Sequence, residues 1–365
     1  MKKKIKLFDP IIGISEEREL IKVLKSGFWA SGTGIGKVQE FEKKFCKYVG
    51  SDQCVAVNSG TAALNLSLSL LDIKNKEVIL PSLSFVATAH AVILNGGKPV
   101  FADVDSNTLC IDPKQIEKLI SKKTTAILPV HFAGMACNMK EIQDLCYKKN
   151  IPIIEDAAHS AGAKCKNKRI GGHSMAVCFS FHPVKNIAMP TGGLISINHS
   201  KHKKLKKILN EKRWCGITNR HGSSYDVKEV GWNYYMNEFS ACIGLVQLKK
   251  LDRLNQIRRK IAKRYYDEIR LEQKMPFVTG CSYHFYWIMA KNREKIRKKL
   301  KKYGIETGVH YKPIHKMSMY HTKNKLPVTE NVGKSIVTIP CHPNLKESDI
   351  DKIIKSINLL DSHFF

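Results

Sequence analysis

The sequence predicts an α/β protein: a large domain with a mostly parallel central sheet covered by helices on both faces, and a smaller C-terminal α/β domain. Three observations predict it. Short, continuously apolar segments alternate with helix-like segments through the first two-thirds of the chain. Strands that read as unbroken apolar runs belong to sheets buried on both faces. After Asn233 the pattern changes to one long helical stretch and then a smaller α/β segment. At 365 residues and 43% hydrophobic content, the chain can bury a large core in more than one unit.

Taken in order, "CVAVN" (54–58) reads as a strand and 61–71 as a helix. "EVILP" (77–81) is a strand and 85–94 a helix. A strand at 99–103 precedes a helix at 113–121, and a strand at 125–130 precedes a helix at 139–149. "IPIIED" (151–156), 176–181 and 193–197 read as three further strands. A helix is expected over 237–269, with Leu245, Leu248, Leu251 and Leu254 near one face. The C-terminal segment carries helices at 293–303 and 347–359. These readings place the large domain at 1–245 and the small one at 246–365.

Several classes are excluded. No run of about 18 apolar residues occurs, so no membrane span is expected. The basic N-terminus lacks an apolar core behind it, so no signal peptide is expected. The eleven cysteines are scattered and form no C-x-x-C pair. That reads as reduced thiols in a cytoplasmic protein, without a disulfide frame or a metal site. The net charge of +29 is concentrated at 201–213, 258–264 and 293–302, interleaved with apolar residues at helical spacing. These clusters are read as solvated helix faces. An anionic substrate is a second reading, and no nucleic-acid motif supports a third.

In such sheets ligands sit beyond the carboxyl ends of the strands. Four features fall there. Asn58-Ser59-Gly60-Thr61-Ala62 runs from strand through glycine into helix, which offers backbone N–H groups and hydroxyls to an anion. Asp156 closes "IPIIED". Ser180 ends an apolar strand, and Lys185 follows it in "FSFHPVKNIAMPTGG". An anion cradle, a strand-end acid and a strand-end lysine meet the needs of pyridoxal 5'-phosphate (PLP). That cofactor takes a phosphate site, a carboxylate against its ring nitrogen and a lysine for the Schiff base.

The chain resembles the PLP-dependent sugar aminotransferases of the DegT/StrS type, which have fold type I. "SGFWASGTGIGKVQEFEKKF", "VNSGTAAL", "LPSLSFVATAHAVILNGGKPVFADVD", "PVHFAGMACNM", "IIEDAAHSAGA", "SFHPVKN", "GWNYYMNEFSACIGLVQLKKL" and "GIETGVHYKPIH" occur in that family's order. The resemblance implies that Lys185 is the Schiff-base lysine and acid/base, and that Asp156 holds the pyridine nitrogen. Phe85 would stack on the ring, and His159 would lie near its hydroxyl. Gly60, Thr61, Ala62 and Ser180 would bind phosphate. Asn233 would reach the phosphate of a second subunit, which makes a homodimer with shared active sites. Glutamate would donate the amine, and a keto-sugar carried on a nucleotide diphosphate would accept it. His310, Tyr311 and Lys312 would contribute to the substrate pocket. The resemblance also implies a role in amino-sugar or surface-glycan biosynthesis.

Two positions depart from the pattern, and a third keeps it. Pro190-Thr191-Gly192-Gly193 stands where relatives often show Gly-Glu-Gly-Gly, and Tyr235 stands where Arg or Asn is common. Relatives with histidine in place of the lysine dehydrate sugars; this chain keeps Lys185. Two alternatives remain at this level: an aminotransferase acting on a cyclitol ketone, and a non-catalytic basic regulator with the same fold.

Overall fold

The computed structural model describes residues 4–322 and 324–360. The first three and last five residues of the expected 1–245 and 246–365 units, with Lys323, lie outside the described residues. The central strands are β1 (Gln53–Val57), β2 (Glu77–Pro81), β3 (Lys98–Ala102), β4 (Thr124–Ile127), β5 (Ile154–Asp156), β6 (Ala176–Ser180) and β7 (Gly193–Ile197). One group is ordered β1-β7-β6-β5 and the other β3-β2-β4. Parallel bridges Ile127–Ile153 and Val130–Asp156 join β4 to β5, so the two groups form one sheet.

Strand β7 runs antiparallel to both β1 and β6, while the pairs β5–β6, β2–β3 and β2–β4 are parallel. The expected mostly parallel sheet is present, with one reversed strand. The reversal has a local cause: no helix intervenes between β6 and β7, so the chain turns back beside itself. Lys185 lies in that turn.

Some elements are shorter than their apolar runs. Proline has no amide hydrogen to give a ladder. Pro129 follows β4 and Pro152 precedes β5, although both carbonyls still accept, from Asp156 and Ile127 respectively. The helix expected from Phe85 begins at Ala87, which leaves Phe85 outside it and 57% exposed.

The long helix spans Glu238–Glu268, and its N-cap Asn237 accepts from the Ser240 amide at 2.8 Å. The expected boundary at 245/246 falls within this continuous helix. Beyond it, the antiparallel pair Tyr286–Met289 and Ile336–Ile339 packs with helices Arg293–Lys302 and Glu347–Asn358. The N-terminal residues join this C-terminal part. Ile5 bridges Ile305, the Leu7 amide donates to Glu306 Oε2 at 3.0 Å, and His342 Nε2 bonds the Lys6 carbonyl at 2.9 Å. One buried cluster contains Ile79 and Phe132 from the sheet side with Tyr265, Phe285, Ile336 and Ile353.

The basic helices present most of their lysines to solvent, as at Lys203, Lys204, Lys207, Lys295 and Lys298, while Lys212 is buried and donates to the Ser69 carbonyl at 3.0 Å. Two arginines depart from that expectation. Arg258 is buried and donates to the Cys341 carbonyl at 2.6 Å. Arg213 is buried and donates to Glu42 Oε1 at 2.6 Å, to the Ala56 carbonyl at 2.9 Å and to the Thr33 carbonyl at 3.0 Å. Glu42 also accepts from the Ala56 amide at 2.9 Å, so the pair clamps β1 just before the candidate site. Glu42→Ala would leave the Arg213 charge buried without its partner. Urea unfolding should show a loss of about 3–5 kcal/mol; an unchanged midpoint would deny the clamp its role.

Candidate active site

β1 ends at Val57, and the helix Gly60–Leu68 starts three residues later. Ser59 caps that helix, its hydroxyl accepting from the Ala62 amide at 3.1 Å. A Cβ at Gly60 would sit 2.7 Å from Ser180 Cβ, and one at Gly193 would sit 2.2 Å from the Ser59 carbonyl oxygen. The absence of side chains therefore lets the helix start close against the ends of β6 and β7. Gly60, Thr61 and Ser180 face a common cavity of about 340 Å³. Ala62 is buried behind them and is not part of its lining.

Asp156, at the carboxyl end of β5, lines the same cavity. Its Oδ2 accepts from the Thr88 hydroxyl at 2.8 Å, and its Oδ1 from the Ala158 amide at 3.1 Å. Burial pushes this carboxyl above its ordinary range, while the two donors and the nearby Lys185 pull it back. A carboxylate has about four acceptor positions, so two donors leave capacity for a third. The neighbouring Glu155 faces away from the cavity lining and bonds His131 Nε2 at 2.6 Å.

Lys185 enters the cavity from the β6–β7 turn, where its amide donates to the His182 carbonyl at 2.8 Å. Burial lowers its amine to about 8, against the opposing pull of Asp156. The next residue, Asn186, is buried and donates to Asn255 Oδ1 at 2.8 Å and to the Ser282 carbonyl at 2.9 Å. Those bonds tie the lysine turn to the long helix.

His159 also lines the cavity. Burial, reinforced by Lys185, holds it well below the usual imidazole range, so the ring is neutral. Its Nδ1 accepts from the Ala133 amide at 3.3 Å. The ring proton therefore sits on Nε2, 3.1 Å from the Tyr311 hydroxyl. His284 stacks on it at 4.7 Å. Burial keeps the Tyr311 hydroxyl protonated, and lowers His310, also near Lys185, to about 4.

Phe85, His310, Tyr311, His182 and Thr191 complete the rim. The Thr191 hydroxyl donates to the Asn58 carbonyl. Of the residues expected at the site, Lys185, Asp156, His159, Gly60, Thr61, Ser180, Phe85, His310 and Tyr311 meet here. Asn233 and Lys312 are exposed and do not line the cavity. Asn233 is tied to the site through its carbonyl, which accepts from Asn58 Nδ2 at 3.3 Å. Sequence reasoning missed Ser84, Thr88, Asn255 and His284; the i,i+4 pair Ser84/Thr88 within "SFVATAH" was the available signal for two of them.

These groups fit PLP. An anion cradle, an acceptor carboxylate, a free-amine lysine and an exposed aromatic ring surround one cavity within the size range of cofactor sites.

Comparison with known proteins agrees. The model of the DegT/DnrJ/EryC1/StrS aminotransferase family matches residues 10–358. The spore coat polysaccharide biosynthesis protein SpsC of Bacillus subtilis is 33% identical, over 95% of each chain. The Helicobacter pylori aminotransferase PseC, involved in pseudoaminic acid biosynthesis, superposes with a TM-score of 0.91 at 30% identity, over 97% of this chain and 98% of that one. The PLP form of Spr1654 of Streptococcus pneumoniae gives 0.92 at 27% identity, over 98% of each chain. With the family model spanning nearly its full length and the fold shared with these structures, the chain belongs to the DegT/DnrJ/EryC1/StrS aminotransferase family and is a PLP-dependent transaminase.

Proposed function

We propose that the enzyme moves an amino group from glutamate to a keto-sugar carried on a nucleotide diphosphate, in the biosynthesis of amino sugars for surface glycans. The observation that carries this reading is the convergence of Lys185, Asp156 and the Gly60/Thr61/Ser180 cradle on one cavity. The sugar-pathway roles stated for SpsC and PseC support the acceptor class.

PLP, when bound, supplies an aldehyde that captures amines and a ring that takes up electron density from the carbon beside them. The chain supplies the rest. Gly60, Thr61 and Ser180 would hold the phosphate, with Ala62 shaping the helix start behind them. Asp156 would accept from the ring nitrogen and keep its proton there. Phe85 would cover the ring face, and neutral His159 presents its Nε2–H toward the Tyr311 side of the cavity. Lys185 Nζ takes a proton from the amine-bearing carbon of the donor and returns one to the acceptor's former carbonyl carbon. Positioned proton transfer of this kind contributes on the order of 10²–10⁴-fold. His310, Tyr311 and the exposed Lys312 form the side on which an anionic sugar carrier is received.

The working form is a homodimer in which Asn233 reaches the phosphate held by the partner. Exposed Ile21, Leu24, Phe28, Trp29 and Ile35 on the N-terminal segment support an interface there. The eleven free cysteines suit the reducing cytoplasm. Among the described residues no helix is long and apolar enough to cross a membrane.

The purified enzyme, incubated with glutamate and a panel of nucleotide keto-sugars, should yield an aminated nucleotide sugar and 2-oxoglutarate by mass spectrometry. Amination of free cyclitol ketones in place of every nucleotide sugar would overturn the acceptor class. A pH dependence follows from the lysine. Protonated amine is not nucleophilic, so capture of PLP by cofactor-free enzyme should accelerate as pH rises through about 8. Stopped-flow absorbance measures this; a rate flat from pH 6 to 9 would contradict it.

A further inference from the structure

We propose that Thr88 is a positioning residue for the cofactor: its hydroxyl fixes the Asp156 carboxylate in the orientation and ionised form that engages the ring nitrogen. The inference rests on reading Asp156 as the ring-nitrogen partner.

Thr88 is fully buried in the first turn of the helix Ala87–Leu94 and borders the cavity. An ionised carboxylate only accepts hydrogen bonds. At 2.8 Å from Asp156 Oδ2, the Thr88 hydroxyl must therefore donate to it. That commits its proton, so the Ser84 hydroxyl, 2.7 Å away, donates to Thr88 Oγ1. The result is a directional relay, Ser84 to Thr88 to Asp156, in which each bond polarises the next. Threonine suits the position because its branched Cβ leaves little χ1 freedom, and burial removes the remainder. The Ala158 amide holds Oδ1 at 3.1 Å, so each carboxylate oxygen has one fixed donor.

The relay also opposes the effect of burial. Burial favours the neutral carboxylic acid at this site, and the Thr88 bond favours the charged form. A neutral Asp156 would offer a protonated ring no opposite charge. Thr88→Val keeps the shape and removes the donor. Thr88→Ser keeps the donor and removes a methyl group.

The test compares the affinity of cofactor-free enzyme for PLP and for 1-deaza-PLP, in which carbon replaces the ring nitrogen. Absorbance titration reads both. Wild type should prefer PLP. Thr88→Val should weaken PLP binding on the order of tenfold, as expected for a lost hydrogen bond to a charged group, while 1-deaza-PLP binding stays unchanged. Thr88→Ser should retain the preference. Equal weakening of both ligands would mean a packing role and would overturn the proposal, as would a Thr88→Val preference equal to wild type. A wild type without preference would overturn the reading of Asp156, and this inference with it, while leaving Lys185 and transamination standing.

Discussion

Lys185→Ala is expected to lose transamination, by at least the 10²–10⁴-fold that positioned proton transfer contributes, while the protein still folds. Two features lead to this. The amine is the nitrogen nucleophile facing the cavity beside Asp156, and burial lowers it to about 8, where a useful fraction is neutral near physiological pH. The turn around it is held by other groups: Asn186 bonds Asn255 and the Ser282 carbonyl, and the Met189 amide bonds the Phe181 carbonyl. Removing one side chain from a cavity wall leaves those bonds in place. Circular dichroism and unfolding curves should therefore match the parent, while single-turnover assays with glutamate show no transfer. Sugar amination at the parental rate would remove Lys185 from the mechanism.

Asp156→Ala is expected to bind PLP more weakly and to turn over slowly, with a loss on the order of 10²–10³-fold as for other preorganised electrostatic groups. The carboxylate is the acid that borders the cavity at the end of β5, and its bonds to Thr88 and Ala158 hold it still. Without it the ring has no anionic partner to keep its nitrogen protonated, so the electron sink weakens. Titration of cofactor-free variant with PLP and steady-state rates measure the two effects separately. Normal turnover with normal PLP affinity would end the electron-sink argument.

Much of this site was legible in the sequence because its parts are local. Lys185, Ser180 and Asp156 each follow an apolar strand, and the turn Asn58–Ala62 joins strand to helix with a glycine in place. A strand end and a helix start fix where such side chains go without knowledge of distant contacts. The missed residues act through partners far along the chain. Thr88 meets Asp156 across 68 positions, and Asn186 meets Asn255 across 69. The local Ser84/Thr88 spacing marks two hydroxyls, but nothing local names the carboxylate or the amide that lies at the other end. The same reason explains Arg213: at the end of a lysine-rich helix it reads as surface charge, yet Glu42, 171 positions away, draws it into the core. The direction of β7 was hidden differently, since a fully buried strand has the same apolar run whichever way it points. Asn233 and Lys312 are exposed on a single chain, so their proposed roles depend on a second subunit and a substrate.

The most direct test of the central claim is to treat the PLP-loaded enzyme with borohydride, digest it and locate the phosphopyridoxyl group by mass spectrometry. The account expects that group on the peptide carrying Lys185, with the yellow absorbance bleached in step. Label on a different lysine, or an enzyme that aminates sugars yet yields no labelled peptide, would contradict it.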